Sequence, residues 1–271
     1  MKHVVVVEDF EGWNDWFKDG RVRIDSLKTS ETFHPNQGVV LKGAGAKEHG
    51  LVRGDYVVKV RQHYPCGINP KNTEQTLALA LLSEPDIHLT ILSGVAGSGK
   101  TLLACAHALH RLNSKDKISR IVIAKSMTPV GREIGFLKGD MEDKVMPWLG
   151  PFYDNFVNCG YDSFMIEKMI ERGILEITPI TFIQGRSISN AIIIIDEVQN
   201  LDISIIKQIV TRAAAGTQII LLGDQTQTFE RVQSKSMEIL LQKSKGSSLV
   251  GAIHLEKTLR SPISDWAVKN L

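Results

Sequence analysis

Leu89-Thr-Ile-Leu-Ser-Gly-Val-Ala-Gly-Ser-Gly-Lys-Thr101 is the stretch on which the reading of this chain turns. An apolar run ends in Gly94, Val95, Ala96, Gly97, Ser98, Gly99, Lys100 and Thr101, which fit the pattern GxxxxGK[ST], and a helical pattern follows at once. Glycines at these places let the backbone wrap an anion, so that successive N–H groups and a helix N-terminus face phosphate oxygens. Lys100 is expected to reach the β- and γ-phosphates of a nucleoside triphosphate, and Thr101 to offer its hydroxyl to Mg²⁺.

A phosphate loop of this kind needs an acidic partner at the end of a neighbouring strand. Ala191-Ile-Ile-Ile-Ile-Asp196-Glu197 supplies one. Its aliphatic run predicts a strand buried on both faces, which would deliver Asp196 to the metal at the carboxyl end, where ligands of open α/β sheets bind. Glu197, next to it, is expected to polarise the attacking water and so to turn nucleotide binding into hydrolysis. A third apolar run, Ile219 to Leu222, leads into Gly223-Asp224-Gln225-Thr226-Gln227. Gln227 is the candidate contact to the γ-phosphate, with Asp224 bracing it.

Outward from these motifs, helical patterns over 74–82, 102–113, 162–171 and 203–214 alternate with apolar runs at 88–93, 120–124, 174–177, 191–195, 218–222 and 252–255. That alternation predicts an α/β fold, a RecA-like parallel sheet covered by helices. Residues 1–65 differ: short β-branched runs (Val4–Val7, Gly38–Leu41, Tyr56–Val60) are separated by turn-like strings such as GAGAKEHG. They suit a small β-rich N-terminal domain, and a barrel of the oligonucleotide-binding kind is one architecture such runs can build. Tyr64-Pro-Cys-Gly-Ile-Asn-Pro-Lys-Asn72 reads as a linker, so the expected division is 1–65 and 66–271.

Composition excludes several classes. With 43% hydrophobic and 23% charged residues in 271, the chain is not disordered as a whole. Lys and Arg exceed Asp and Glu by 32 to 30, so no global charge draws it to nucleic acid. Cys66, Cys105 and Cys159 are an odd number at spacings that resemble neither a disulfide framework nor a zinc site. No apolar run approaches the roughly 18–20 residues of a membrane span, and the expected location is cytoplasmic. His107 and His110, three apart with no cluster around them, are read as solvent-exposed.

The strings GVAGSGKT, DEVQN, GDQTQ and Leu259-Arg260-Ser261, in that order, are joined by INPKNTEQTLALALL, Pro129-Val-Gly131, IGFLKG, MPWLGPFYDNF and TPITFIQGRSISN. Together they resemble the PhoH-like ATPases, over about three quarters of the chain. That family is similar to the first motor domain of superfamily 1 helicases. The closest likeness is to the ATPase half of the form fused to a PIN ribonuclease domain, whose carboxylate cluster is not found in residues 1–65. The resemblance implies an ATP-hydrolysing helicase, translocase or remodelling motor on single-stranded nucleic acid, RNA foremost. It also implies that Gln75 reads the adenine edge, since an amide can pair with both N6 and N7. The alternative is an ATP-dependent regulatory switch that binds a protein partner without unwinding.

Lys125, Arg132 and Lys138, with Phe136 among them, can track a nucleic acid backbone or form a solvated basic loop. Trp148, Phe152, Tyr153 and Phe156 have the spacing of a helix's core face. No second motor domain is expected beyond Leu271, and on that expectation the arginine that such motors place on the transferring phosphoryl group comes from a neighbouring copy. Arg212 and Arg260 are the candidates. The expected assembly is a head-to-tail homo-oligomer, a hexamer as the resemblance also implies.

Overall fold

The computed structural model describes residues 3–114, 117–125, 141–183, 185–225, 235–259, 263 and 266, with only the backbone described over 141–149. The amino-terminal part contains β1 (Val4–Val7), α1 (Trp13–Asp19), β2 (Arg21–Arg23), β3 (Gly38–Gly43), β4 (Ala46–Arg53) and β5 (Tyr56–Lys59). These strands form one mixed sheet in the order β1-β3-β4-β5-β2, with β1 parallel to β3 and the other pairs antiparallel. β1 and β2 are its edges, so among the described residues the sheet is open and not the closed barrel considered above. The GAGAKEHG string is a tight turn only at its start; from Ala46 on it is strand β4. Trp16 is fully buried beneath the sheet with Phe10, Val39, Leu41 and Val57. Trp13, three residues earlier on α1, packs partly buried against the same core, so this is a structural helix face, and truncating Trp16 to Ala is expected to cost about 3–5 kcal/mol.

The rest of the chain continues through α2 (Thr73–Ser83), β6 (Leu89–Gly94), α3 (Lys100–Asn113), β7 (Arg120–Lys125), α4 (Met141–Asn158) and α5 (Ser163–Glu171). There follow β8 (Leu175–Pro179), β9 (Ala191–Asp196), α6 (Ile203–Val210), β10 (Gln218–Gly223), α7 (Ser236–Ser244) and β11 (Val250–Leu255). The strands build one six-stranded sheet, β11-β6-β10-β9-β7-β8, parallel throughout. Alternate residues of each strand face opposite layers. Leu92, Ile121, Ile123, Ile192, Ile194, Ile220 and Leu222 pack under α2, α3, α4 and α5. Ile91, Val122, Ile193, Ile195, Ile219 and Leu221 pack under α6 and α7. The aliphatic runs are needed because a two-sided parallel sheet leaves no solvent face.

The spacing of 148–156 gives α4 only as a helical face, the sequence pattern gives no signal for α7, and α6 stops at Val210, four residues before the expected end at Ala214. Phe152 and Phe156 are fully buried and Tyr153 packs on the same core, as their spacing predicts, while the Trp148 side chain lies outside the described residues.

The supposed linker is docked rather than loose. Pro65 is buried and the Cys66 thiol donates to Ala106 O of α3 at 3.5 Å. The two sheets also share a contact surface: Leu51 of β4 joins the core around Leu77, and Asn36, in the left-handed region at φ 62°, donates from Nδ2 to Ser248 O and Val250 O at 2.8 and 2.9 Å. Arg53 caps this contact by donating to Asn36 Oδ1 and pairing with Glu84.

His107 corrects the sequence reading: it is wholly buried, whereas His110 beside it is exposed. Both N–H groups of the Gln218 amide are directed at Leu82 O and Ile87 O, so its Oε1 accepts from His107 Nε2 at 2.8 Å. Burial holds the imidazole neutral, with its pKa lowered to about 3. An isolated histidine on a helix offers no signal of this, because its partner lies 111 residues away.

Candidate nucleotide site

All six parallel strands point their carboxyl ends at one edge, and there the phosphate loop begins. Gly94 closes β6 at φ 152°, where a Cβ would collide with Leu255 O of β11, and Val95 N donates to that same oxygen at 3.2 Å. Gly97 has φ 74°, and its carbonyl accepts from Leu259 N at 2.9 Å. The segment after β11 therefore lies along the loop and fixes its frame. Gly99, at φ 94°, is the N-cap of α3, so the helix begins on Lys100 with its free N–H groups directed at the loop's mouth.

Lys100 Nζ donates to Gly94 O at 2.6 Å and Val95 O at 2.9 Å, which holds the ammonium over the loop. Thr101 follows on the first turn, half-buried. Ser98 is buried, and Val95 and Ala96 are half-buried along the rim. A cavity of about 740 Å³ opens from the loop and first turn of α3; Asn69, Lys71, Gln75 and Leu259 line it, as do Pro151, Asp154, Asn155 and Asn158 of α4.

Gln75 lies against the loop. Its own N–H is capped by the Asn72 side chain at 2.8 Å, its Oε1 accepts from Lys71 N at 2.8 Å, and its Nε2 donates to Ser98 O at 2.9 Å. A Cβ on Gly99 would come within 2.7 Å of that Nε2. The amide expected to read an adenine edge is engaged with backbone on both sides, and it braces the loop against the segment that precedes α2.

β10 separates the loop strand β6 from the acid strand β9, and in register Lys125 of β7 stands beside Asp196. Asp196 is 9% exposed. Its pKa is pushed up to about 6, first by burial and then by the neighbouring Glu197, against the opposing pull of Lys125, the Glu197 N–H and Lys100. Glu197 turns sharply out of the strand at φ 57°, a left-handed conformation costly for a residue with a side chain, and its N–H bonds Asp196 Oδ1 at 3.0 Å. Its carboxylate accepts from Gln199 Nε2 at 2.6 Å, while Gln199 Oε1 accepts from Asp224 N at 3.1 Å. Gly223 makes room for this: a Cβ there would sit 3.0 Å from Gln199 Oε1. The acid pair and the tip of β10 are thus joined through one amide that sequence reasoning overlooked. Its only signal was the polar residue two places after Glu197 in a stretch that is otherwise buried.

A second overlooked contact is Ser93 Oγ with His254 Nδ1 at 3.0 Å, which ties β6 to β11 one residue before the loop. Asp224 is buried at the end of β10, whereas Gln227 and Arg260 lie outside the described residues, as do Arg132, Phe136 and Lys138. Arg212 sits beyond the other end of the sheet: its carbonyl accepts from Ile188 N, ahead of β9. Since β9 rises about 3.3 Å per residue, roughly 20 Å or more separate it from Asp196 along the strand. Arg212 therefore cannot serve the phosphate loop of its own chain.

For a divalent cation, the oxygen donors are the Thr101 hydroxyl and the Asp196 carboxylate. Mg²⁺ is characteristically held by one or two carboxylates together with substrate phosphates, and a desolvated carboxylate with a raised pKa gains from a cation beside it. The residues fit. Among the described residues there is no cluster of three or more His, Cys, Asp or Glu to hold a metal without a nucleotide.

Loop, strand order and acid pair define a RecA-like P-loop protein, an α/β nucleotide-binding fold. A family model described as PhoH-like protein matches residues 67–271, and the chain belongs to that family. It is 32% identical over 268 residues to Protein PhoH2 of Bacillus subtilis (strain 168), covering 94% of this chain and 60% of that one. It is also 32% identical over 200 residues to the PhoH-like protein of the same organism, covering 72% and 61%. The chain thus spans about three fifths of the length of these relatives. Among solved structures, a Pif1 helicase from Bacteroides in complex with ADP-AlF3 and ssDNA aligns at 16% identity and a TM-score of 0.33, over 72% of this chain and 44% of that one. That likeness is too distant to carry an argument. No helix among the described residues is long and apolar enough to cross a membrane.

Proposed function

We propose that the protein hydrolyses ATP at this site with Mg²⁺ and uses the cycle to move along or remodel single-stranded nucleic acid, RNA foremost, in the cytoplasm. The observation that supports hydrolysis, rather than binding alone, is Glu197: a strained backbone aims its carboxylate, and Gln199 holds it.

Thr101 and Asp196 would hold Mg²⁺, which supplies charge neutralisation on the triphosphate. Lys100 transfers its N–H donors from the carbonyls of Gly94 and Val95 to the terminal phosphates. The N–H groups at the start of α3 stabilise negative charge as it develops there. Glu197 takes the proton of the attacking water. Gln199 keeps the carboxylate in place and connects it to β10, so that Asp224 and Gln227 sense the terminal phosphate. Arg260, or Arg212 of a neighbouring copy, completes the site in a head-to-tail homo-oligomer, a hexamer in the simplest closed form.

The deciding experiment is steady-state ATP turnover by the purified protein, with and without single-stranded RNA and DNA. Turnover stimulated by polynucleotide supports the motor. Turnover indifferent to both polymers removes nucleic acid from the proposal.

A further inference from the structure

The Gln75 amide is bonded to Lys71 N and Ser98 O, and the cavity has a second polar wall that a nucleoside can meet. The wall facing the phosphate loop is the last part of α4. Pro151, Asp154, Asn155 and Asn158 share one helical face there, at i, i+3, i+4 and i+7. Asn155 is already engaged, since its Nδ2 donates back to Pro151 O at 2.5 Å.

Asp154 is different. It is the one carboxylate among the residues that line the cavity, it is exposed to it, and it has no hydrogen bond or ion pair with any described residue. It also lies near the carboxyl end of α4, where the helix dipole gives a carboxylate no support, so the helix itself does not account for it. Phe152 and Phe156 on either side are fully buried and hold this stretch of α4 rigidly against the core.

A carboxylate accepts and does not donate. It repels phosphate, so a nucleotide whose phosphates lie on Lys100 and the start of α3 must turn its donors, not its anionic end, toward α4. In ATP, whose base carries only the single N6 amine, the donor pair that can meet both oxygens of one carboxylate is the 2′- and 3′-hydroxyls of the ribose. We infer that Asp154 is the ribose-recognition residue of this site, accepting hydrogen bonds from both hydroxyls, with Asn158 one turn on as its neighbour. The inference rests on the nucleotide reading above and adds the sugar to it: the site selects ribonucleotides.

The test is equilibrium binding of MgATP and Mg-2′,3′-dideoxy-ATP to the full chain and to Asp154→Ala and Asp154→Asn, with circular dichroism to show that each variant folds. A hydrogen bond to a charged group contributes enough to expect a preference for ATP of about tenfold or more in the unaltered protein. In Asp154→Ala that preference should fall to about threefold or less, through weaker ATP binding while dideoxy-ATP binding stays put. Asp154→Asn, which keeps the shape and loses the charge, should lie between. If the ratio is the same in all three proteins, the assignment of Asp154 is overturned while the nucleotide site stands. If the unaltered protein binds neither compound, the nucleotide reading falls and this inference falls with it.

Discussion

Gln199 donates from Nε2 to Glu197 Oε2 at 2.6 Å and accepts from Asp224 N at 3.1 Å. One buried amide thereby ties the position of the proposed base, at the end of β9, to the tip of the adjacent strand β10. Glu197→Gln is expected to keep nucleotide binding and lose hydrolysis, because the group acts only on water. Gln199→Ala should lower kcat by about 10²-fold with little change in KM, as expected when a catalytic group is misplaced without touching binding contacts. Single-turnover hydrolysis alongside nucleotide titration separates the two; unchanged turnover in Glu197→Gln would remove it as the base.

Lys100→Ala removes the cation now held over Gly94 O and Val95 O. Charge-assisted bonds of this kind contribute about 1.5–3 kcal/mol each, so triphosphate affinity should drop by at least tenfold. The loop itself should survive, since its frame comes from Leu255 and Leu259. Calorimetry with MgATP reads the loss, and wild-type affinity in the variant would contradict the role given to Lys100.

Gln75→Ala distinguishes a brace from a reader. As a brace between Lys71 N and Ser98 O, its loss should weaken ATP and GTP by the same factor. A narrowed gap between ATP and GTP would instead show that the amide leaves these partners and meets the adenine when nucleotide binds.

His107 makes a pH prediction. Its folded pKa of about 3 lies below the ordinary value of 6.5, first because of burial and then through the charges of Arg111, His63 and His110, with the Gln218 bond opposing them. Between those values the unfolded chain binds a proton that the folded one does not, so stability is complete above pH 6.5 and falls as the medium is acidified. The greatest slope from one such group is about 1.4 kcal/mol per pH unit. Urea unfolding of wild type and His107→Gln at pH 7 and pH 5 should show the smaller acid loss in the variant; equal losses would mean that His107 is protonated without penalty.

Much of this was legible in the sequence, for physical reasons that differ by element. The stretches at 89–94, 191–196 and 218–223 are dominated by β-branched and aliphatic residues because they are covered on both faces. The phosphate loop was legible because its glycines are required by positive φ and by close contact with Leu255 and Gln75. The burial of His107 and the bracing contacts of Gln75 were not legible, for a shared reason. The groups that engage them, Gln218 and the Ser98 carbonyl, are placed by tertiary packing, and local pattern is blind to that. Gln199 was missed because an amide acquires its meaning only when β10 is laid beside β9.

β11 has a further consequence at its two ends. Asn36 of the amino-terminal sheet grips it at Ser248 and Val250, while Leu255 and Leu259, at and beyond its other end, hold the backbone of Val95 and Gly97. The small sheet and the phosphate loop are thus hung from the same strut, and whatever displaces one tugs on the cradle of the other. An Asn36→Ala change, made far from any phosphate, is expected to loosen nucleotide affinity together with thermal stability. The same chain fitted with a tightened amino-terminal sheet would grip its ligand harder, so the binding constant reports on how the first sixty residues are held.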